Sequence, residues 1–288
     1  MQPIRVPMHT AASLYIDLLK KSVLEELYVE NELRLLYLRG CLANLEPYRQ
    51  EVYLDPRAHR PDMYREYVQA RQVGMNFGRT IQNLGFQHTM LGRKRLENIE
   101  ACLTSVVSDG IAGDVIECGV WRGGATVFMR GYLAAHGIKD RTVWVADSFE
   151  GLPAPTHEQD EGVDLSKEKY PMLAVSLEAV QDLFASYGLL DEQVRFLRGW
   201  FKDTLPSAPI RQLAILRLDG DLYESTMDAL LALYDKVLPG GYIIVDDYGC
   251  LPMCKQAIID FRAQRGINDT IEEVDWTGAF WRKTGKTS

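Results

Sequence analysis

Long apolar runs are missing from this sequence. Nowhere in its 288 residues do the roughly 18 consecutive apolar positions needed to span a bilayer occur. The opening Met1-Gln2-Pro3-Ile4-Arg5 has none of the apolar core of a signal peptide, so the cytoplasm is the expected location. Basic charge is in deficit as well: 32 Lys and Arg stand against 40 Asp and Glu, a formal net charge of −8. A chain of that sign argues against nucleic acid or an anionic membrane as partner and suits a neutral or weakly basic small molecule. Cysteine is sparse, and the odd count at Cys41, Cys102, Cys118, Cys250 and Cys254 builds no disulfide framework. The pair Cys250-x-x-x-Cys254 has no second Cys or His pair to close a zinc site. His9, His59, His88, His136 and His157 show no metal spacing, which leaves His88 and His157 only as acid/base alternatives. No Gly-x-Ser-x-Gly elbow or Cys/His nucleophile arrangement is found.

What is present centres on Asp114-Val115-Ile116-Glu117-Cys118-Gly119-Val120-Trp121-Arg122-Gly123-Gly124, followed by a helical run from Ala125. An apolar strand leading into a glycine-punctuated turn lets backbone approach a nucleotide-like ligand without interference from Cβ. The spacing Glu117-x-Gly119-x-x-x-Gly123-Gly124 is not the GxGxxG that grips a pyrophosphate. A mononucleoside carrier such as S-adenosylmethionine therefore fits better than a dinucleotide. Asp147 closes the next apolar run, Val143–Ala146, at the separation at which an acid meets a ribose diol. The competing reading makes it a cap for the turn Ser148–Gly151.

Residues 11–44 read as helix from apolar positions at three- and four-residue steps, with a face wide enough to need cover from the active site or from a second subunit. Residues 45–65, with Pro47, Pro56 and Pro61, read as a loop with short helical turns at most. A further helix is expected over 91–108. From Gly113 strands and helices alternate. Strands are expected at 115–118, 143–146, 194–197, 213–218 and 242–245, with a closing pair near 271–274 and 279–282. Helices are expected at 126–136, 177–187, 226–238 and 253–264. Alternating units of this length imply a doubly wound α/β fold, its sheet largely parallel, with a terminal hairpin adding an antiparallel strand. The polar stretch 151–171 is too long for an ordinary connection and reads as an active-site lid.

Ligands collect at the carboxyl ends of parallel strands, and there stand Asp147, Asp219 with Asp221, and Asp246-Asp247. If the later strands are neighbours, Asp219, Asp246 and Asp247 crowd together, and a hard divalent cation such as Mg²⁺ relieves their repulsion. Such an ion binds and acidifies a substrate hydroxyl that Asp219 can deprotonate. The competing reading makes these acids N-caps of the helices beginning near Ser225 and Met253. Asp221 and Glu224 read as caps or solvent-facing charges. Gly199-Trp200-Phe201 could present aromatic faces to an adenine.

The stretches 14–20, 89–96, 113–124, 142–153, 194–204, 216–221, 225–228 and 240–248 resemble, in order, the TylF-type macrocin O-methyltransferases, which methylate sugar hydroxyls on glycosylated natural products. The match spans nearly the whole chain and is weakest over 31–80. The resemblance implies a class I S-adenosylmethionine-dependent methyltransferase fold, Rossmann-like with seven strands, and a Mg²⁺-dependent mechanism. It also implies an N-terminal helical segment over 1–80, a catalytic domain over 81–288, and a homodimer or higher homo-oligomer formed partly through the N-terminal helices. By position, Asp219 would be metal ligand and general base, with Asp246 and Asp247 as the other ligands. Thr89 and Met90 would lie near the cofactor's methionine part, Glu117 and Gly119 along its path, Asp147 on the ribose, and Ser148, Trp200 and Phe201 near the adenine. Thr126, Gly199 and Asp219 itself join the cofactor-binding set. The expected reaction is methyl transfer to a sugar hydroxyl of a glycosylated secondary metabolite. A catechol or phenolic acceptor and a non-catalytic nucleoside-binding scaffold are the alternatives.

Overall fold

The computed structural model describes residues 10–75 and 85–285. The segment boundary expected at 80/81, the opening Met1–Arg5 and His9 lie outside them. No helix among the described residues is long and apolar enough to cross a membrane.

Helix α1 (Ala11–Val23) starts at Thr10, whose hydroxyl accepts from Ser13 N at 3.1 Å. Its buried Ile16, Leu19 and Val23 join the main core, and α1 packs on α7 (Gly124–Ala135). A Cβ on Gly131 of α7 would collide with Leu19, so the missing side chain sets how closely the two helices approach. The single helix expected over 11–44 is two, because the chain turns at Glu25 in the left-handed region (φ 58°) before α2 (Val29–Leu42). The expected loop at 45–65 is largely helical: α3 (Gln50–Leu54), α4 (Pro56–His59) and the first turn of α5 (Pro61–Val73). Pro56 and Pro61 stand at the first helical position, where a missing N–H removes no bond and the fixed φ favours the helix; they start helices here. Leu33, Tyr37, Val52, Met63 and Tyr67 give these helices a small core of their own.

After α6 (Arg93–Ser108), one seven-stranded sheet forms from β1 (Asp114–Cys118), β2 (Val143–Asp147), β3 (Val194–Arg198), β4 (Leu213–Leu218), β5 (Val237–Val245), β6 (Glu272–Glu273) and β7 (Ala279–Arg282). Its order is β3-β2-β1-β4-β5-β7-β6, with β1 to β5 parallel and β7 antiparallel to both β5 and β6. Apolar residues alternate between the two faces. Val115 enters the core shared with α1, α6, α7 and α8 (Leu177–Ser186), and Ile116 enters the core shared with α10 (Tyr223–Leu233) and α11 (Pro252–Arg265). Cover on both faces explains why these strands read as continuous apolar runs. The helix expected over 226–238 stops at Leu233, because Val237 already pairs with Leu213 at the start of β5.

Strand order reverses between β1 and β4, so a crevice opens at their carboxyl ends. Register sets its floor: Cys118 pairs with Leu218, and Leu218 with Val245, so Gly119, Asp219 and Asp246 emerge at one level.

Candidate active site

Gly119 takes φ 90°, and a Cβ there would collide with the Asp219 carbonyl oxygen. Only glycine lets β1 and β4 close at this point. Gly123 (φ 89°) caps α7, and Gly124 donates its N–H to the His88 carbonyl at 2.9 Å. The Asp147 carboxylate accepts from Val120 N (2.8 Å) and Phe149 N (2.7 Å). It thereby caps the turn at Ser148, one of the two roles weighed for it, and also braces the glycine turn. Burial raises the pKa of this carboxyl despite those bonds.

Above the turn lies an open cleft. Met90, Gly119, Asp147, Ser148, Trp200, Phe201 and Asp219 line it. The remaining cofactor-binding expectations do not. Thr89 is buried with its hydroxyl accepting from Leu91 N, and Thr126 donates to the Gly123 carbonyl. Gly199 lies behind Trp200, and Glu117 is buried beneath the turn against Arg217. His88 and His157 are not on the lining either. His88 Nδ1 lies 2.8 Å from the Tyr187 hydroxyl, and the His157 ring stacks on Tyr223.

Asp219, Asp246 and Asp247 each bring a carboxylate oxygen within 4.8 Å of the others, a spacing one cation can bridge. None of the three caps a helix. The N-cap positions of α10 and α11 are Leu222 and Leu251, which make no side-chain cap bond. Asp221, expected as a cap or surface charge, instead lines the cleft in the left-handed conformation (φ 59°). Glu224 lines it too.

Two buried arginines organise these acids. Arg217 in β4 places Nη2 at 3.0 Å from Asp219 and 2.8 Å from Asp246, with Nε 3.4 Å from Glu117. Arg95 in α6 reaches Asp246 at 2.5 Å and Asp275 at 3.1 Å. Burial works to raise Asp246, but Arg95 and Arg217 outweigh it and hold that carboxyl below the ordinary range. The others move the opposite way. Burial and then Asp246 push Asp247 up to about 7, and the same two causes drive Asp219 well above its usual range. Burial also lifts Glu117 to about 7, against the pull of Arg217. Asp247 Oδ2 is buried and has no hydrogen-bond partner among the described residues.

Sequence reasoning passed over several of these residues. A charge inside the apolar β4 run was the available signal for Arg217, since a strand covered on both faces cannot hide an unpaired cation. Trp121, between Gly119 and Gly123, was assigned no role. It adopts φ 48°, lines the cleft, and donates its indole N–H to the Met172 carbonyl at 3.0 Å, while Arg122 lies over its ring at 4.3 Å. Positions three-dimensionally close but far apart in sequence, such as Arg95 and Asp275, gave no local pattern.

The sequence model of the macrocin O-methyltransferase (TylF) family matches residues 12–283. The chain belongs to this TylF family. It is similar to the 8-demethyl-8-(2,3-dimethoxy-alpha-L-rhamnosyl)-tetracenomycin-C 4'-O-methyltransferase of Streptomyces olivaceus, with 54% identity over 204 residues, 70% of this chain and 77% of the relative. The demethyldecarbamoylnovobiocin O-methyltransferase of Streptomyces niveus is 50% identical over 241 residues, 81% and 88% of the two chains. The solved structure of the O-methyltransferase NovP superposes with a TM-score of 0.77 at 44% identity, covering 95% of this chain and 99% of that one. This TylF-family member is a methyltransferase, and its sheet is the class I methyltransferase fold.

Proposed function

We propose that the protein transfers a methyl group from S-adenosylmethionine to a sugar hydroxyl of a glycosylated secondary metabolite, with Mg²⁺ held by Asp219, Asp246 and Asp247. The observation that carries the metal reading is Asp247 Oδ2, a buried carboxylate oxygen without a partner, set in a group of three acids that only partial neutralisation by Arg95 and Arg217 makes tolerable. The donor set is all carboxylate, which suits a hard cation, so the residues fit the ion. When bound, Mg²⁺ supplies Lewis acidity that lowers the pKa of the acceptor hydroxyl.

The chain's own residues do the rest. Arg95 and Arg217 fix Asp246 so that it presents its remaining lone pairs. Asp219, whose side chain keeps 29% of its surface open, faces the cleft and takes the hydroxyl proton. The Gly119 turn brings backbone up to the donor, and Asp147 steadies that turn while facing the nucleoside. Trp200 and Phe201 give apolar walls for the adenine. Methyl transfer is a single displacement, so alignment of donor and hydroxyl accounts for much of the rate.

The sugar acceptor is supported by the relatives, one of which is named as a 4'-O-methyltransferase of a rhamnosyl tetracenomycin. A homo-oligomer is part of the same reading: Leu14 and Leu18 on α1, Leu42 at the end of α2 and Leu45 just beyond it lie exposed, apolar surface that a second copy would cover. The test is a screen of glycosylated and phenolic acceptors with isotopically labelled S-adenosylmethionine and Mg²⁺, read by product mass. A methyl gain on glycosides is expected. Gain on phenols alone would overturn the sugar assignment, and no gain on any acceptor would favour a binding protein.

A further inference from the structure

The lid is not a loose flap, and one of its residues fastens it to the first turn of α10, the helix that follows the loop carrying Asp219. Asp160 lies in a 3-10 turn (Glu158–Asp160) and is 0% exposed. Its two carboxylate oxygens accept from Tyr223 N at 2.7 Å and Glu224 N at 3.1 Å, the first two amides of α10. Leu222, at the N-cap position, has no side-chain acceptor to offer them. A helix N-terminus needs such acceptors, and here a residue more than 60 positions away supplies them. Neighbouring contacts reinforce the join. The Thr156 hydroxyl donates to the Glu224 carboxylate, and the His157 ring stacks on Tyr223 with centroids 4.5 Å apart. At the base of the lid Leu152 bridges Ser166.

We infer that Asp160 is a positioning residue that clasps the lid onto the first turn of α10, so that lid closure and the setting of the Asp219–Asp221 loop are one event. The inference rests on the reading of the cleft as the donor site. Lifting the lid exchanges two charge-assisted hydrogen bonds made in a buried site for bonds to water, which favours the joined state. Thr156 and Glu224 line the cleft, as do Asp219 and Asp221, so the clasp lies at the cleft wall rather than in a remote part of the fold. Asp164, by contrast, accepts only from Ser166 within the lid.

Hydrogen exchange read by mass spectrometry, with calorimetric binding of S-adenosylmethionine, tests the coupling in the full chain. In Asp160→Ala, exchange is expected to rise about tenfold or more both in 152–171 and at the first turn of α10, and donor affinity to fall about tenfold. Asp160→Asn keeps one acceptor but turns an N–H donor toward the second amide, so it should fall between Asp160→Ala and the wild type, whereas Asp164→Ala should leave exchange at α10 within about threefold of the wild type. If Asp160→Ala does not fold, Thr156→Val carries the same exchange measurement. Wild-type exchange in the lid, or an opened lid with α10 and donor affinity unchanged, would overturn the inference. Failure of the donor reading shows separately, as a wild-type protein that binds no S-adenosylmethionine, while the exchange arm still decides the clasp.

Discussion

At the scale of single residues, Arg217 is the one that the surrounding acids depend on most. It is 1% exposed and stands within ion-pair distance of Glu117, Asp219 and Asp246. Truncating one partner of a buried ion network leaves the other charges bare, so Arg217→Met should lose about 3 kcal/mol or more of stability, measured by urea unfolding. A loss within the error of the method would mean that these acids are not held by Arg217. Glu117 gives a pH dependence whose sign follows from its shift. Burial lifts it from 4.5 to about 7, so between those values the folded state keeps a proton that the unfolded chain releases. The stability it contributes is complete below about pH 4.5 and is lost as pH rises through 7. Asp247, also lifted to about 7, acts in the same direction. Metal-free protein should therefore melt several degrees lower at pH 8 than at pH 5, by calorimetry, and Glu117→Gln should flatten that slope.

Among the elements, the five parallel strands were legible because each carries a short apolar run between polar turns, and cover on both faces of the sheet is what makes such runs continuous. The turn after β1 was legible from its glycines. Gly119→Ala tests that reading: the added Cβ collides with the Asp219 carbonyl at a backbone angle that alanine disfavours. It should weaken S-adenosylmethionine binding by about tenfold or more in calorimetry, and unchanged affinity would show that β1 and β4 need not close there. The N-terminal helices were harder to read. Proline breaks helices in their interior but starts them at the first position, and sequence alone did not separate the two uses at Pro56 and Pro61. Asp221 was misread for a related reason, since an acid just before a helix is usually its cap. Here the cap comes from Asp160, across the fold. The acidic trio could be found because Asp219 directly follows β4 and the pair Asp246-Asp247 directly follows β5. Their arginine partners could not, because pairing across α6, β4 and β5 leaves no spacing to read.

For the whole molecule, two features call for something outside one chain. The first is the apolar surface on and beside α1 and α2, where Leu42 and Leu45 are 83% and 82% exposed. Sedimentation velocity should give a dimer or larger species, and Leu14→Asp with Leu18→Asp should shift it toward monomer if α1 lies in the interface. A wild-type monomer at micromolar concentration would remove the oligomer from the account. The second is the carboxylate group of Asp219, which lines the cleft, with the buried Asp246 and Asp247 beside it, an excess that the two arginines do not fully neutralise. The most direct measurement is the rate of methyl transfer to a responsive glycoside after EDTA treatment and after Mg²⁺ is restored, with Asp219→Asn alongside. EDTA should reduce the wild-type rate by roughly 10²-fold or more, Mg²⁺ should restore it, and Asp219→Asn should stay inactive throughout while still binding S-adenosylmethionine. A wild-type rate unaffected by EDTA, or near-normal turnover by Asp219→Asn, would contradict the account.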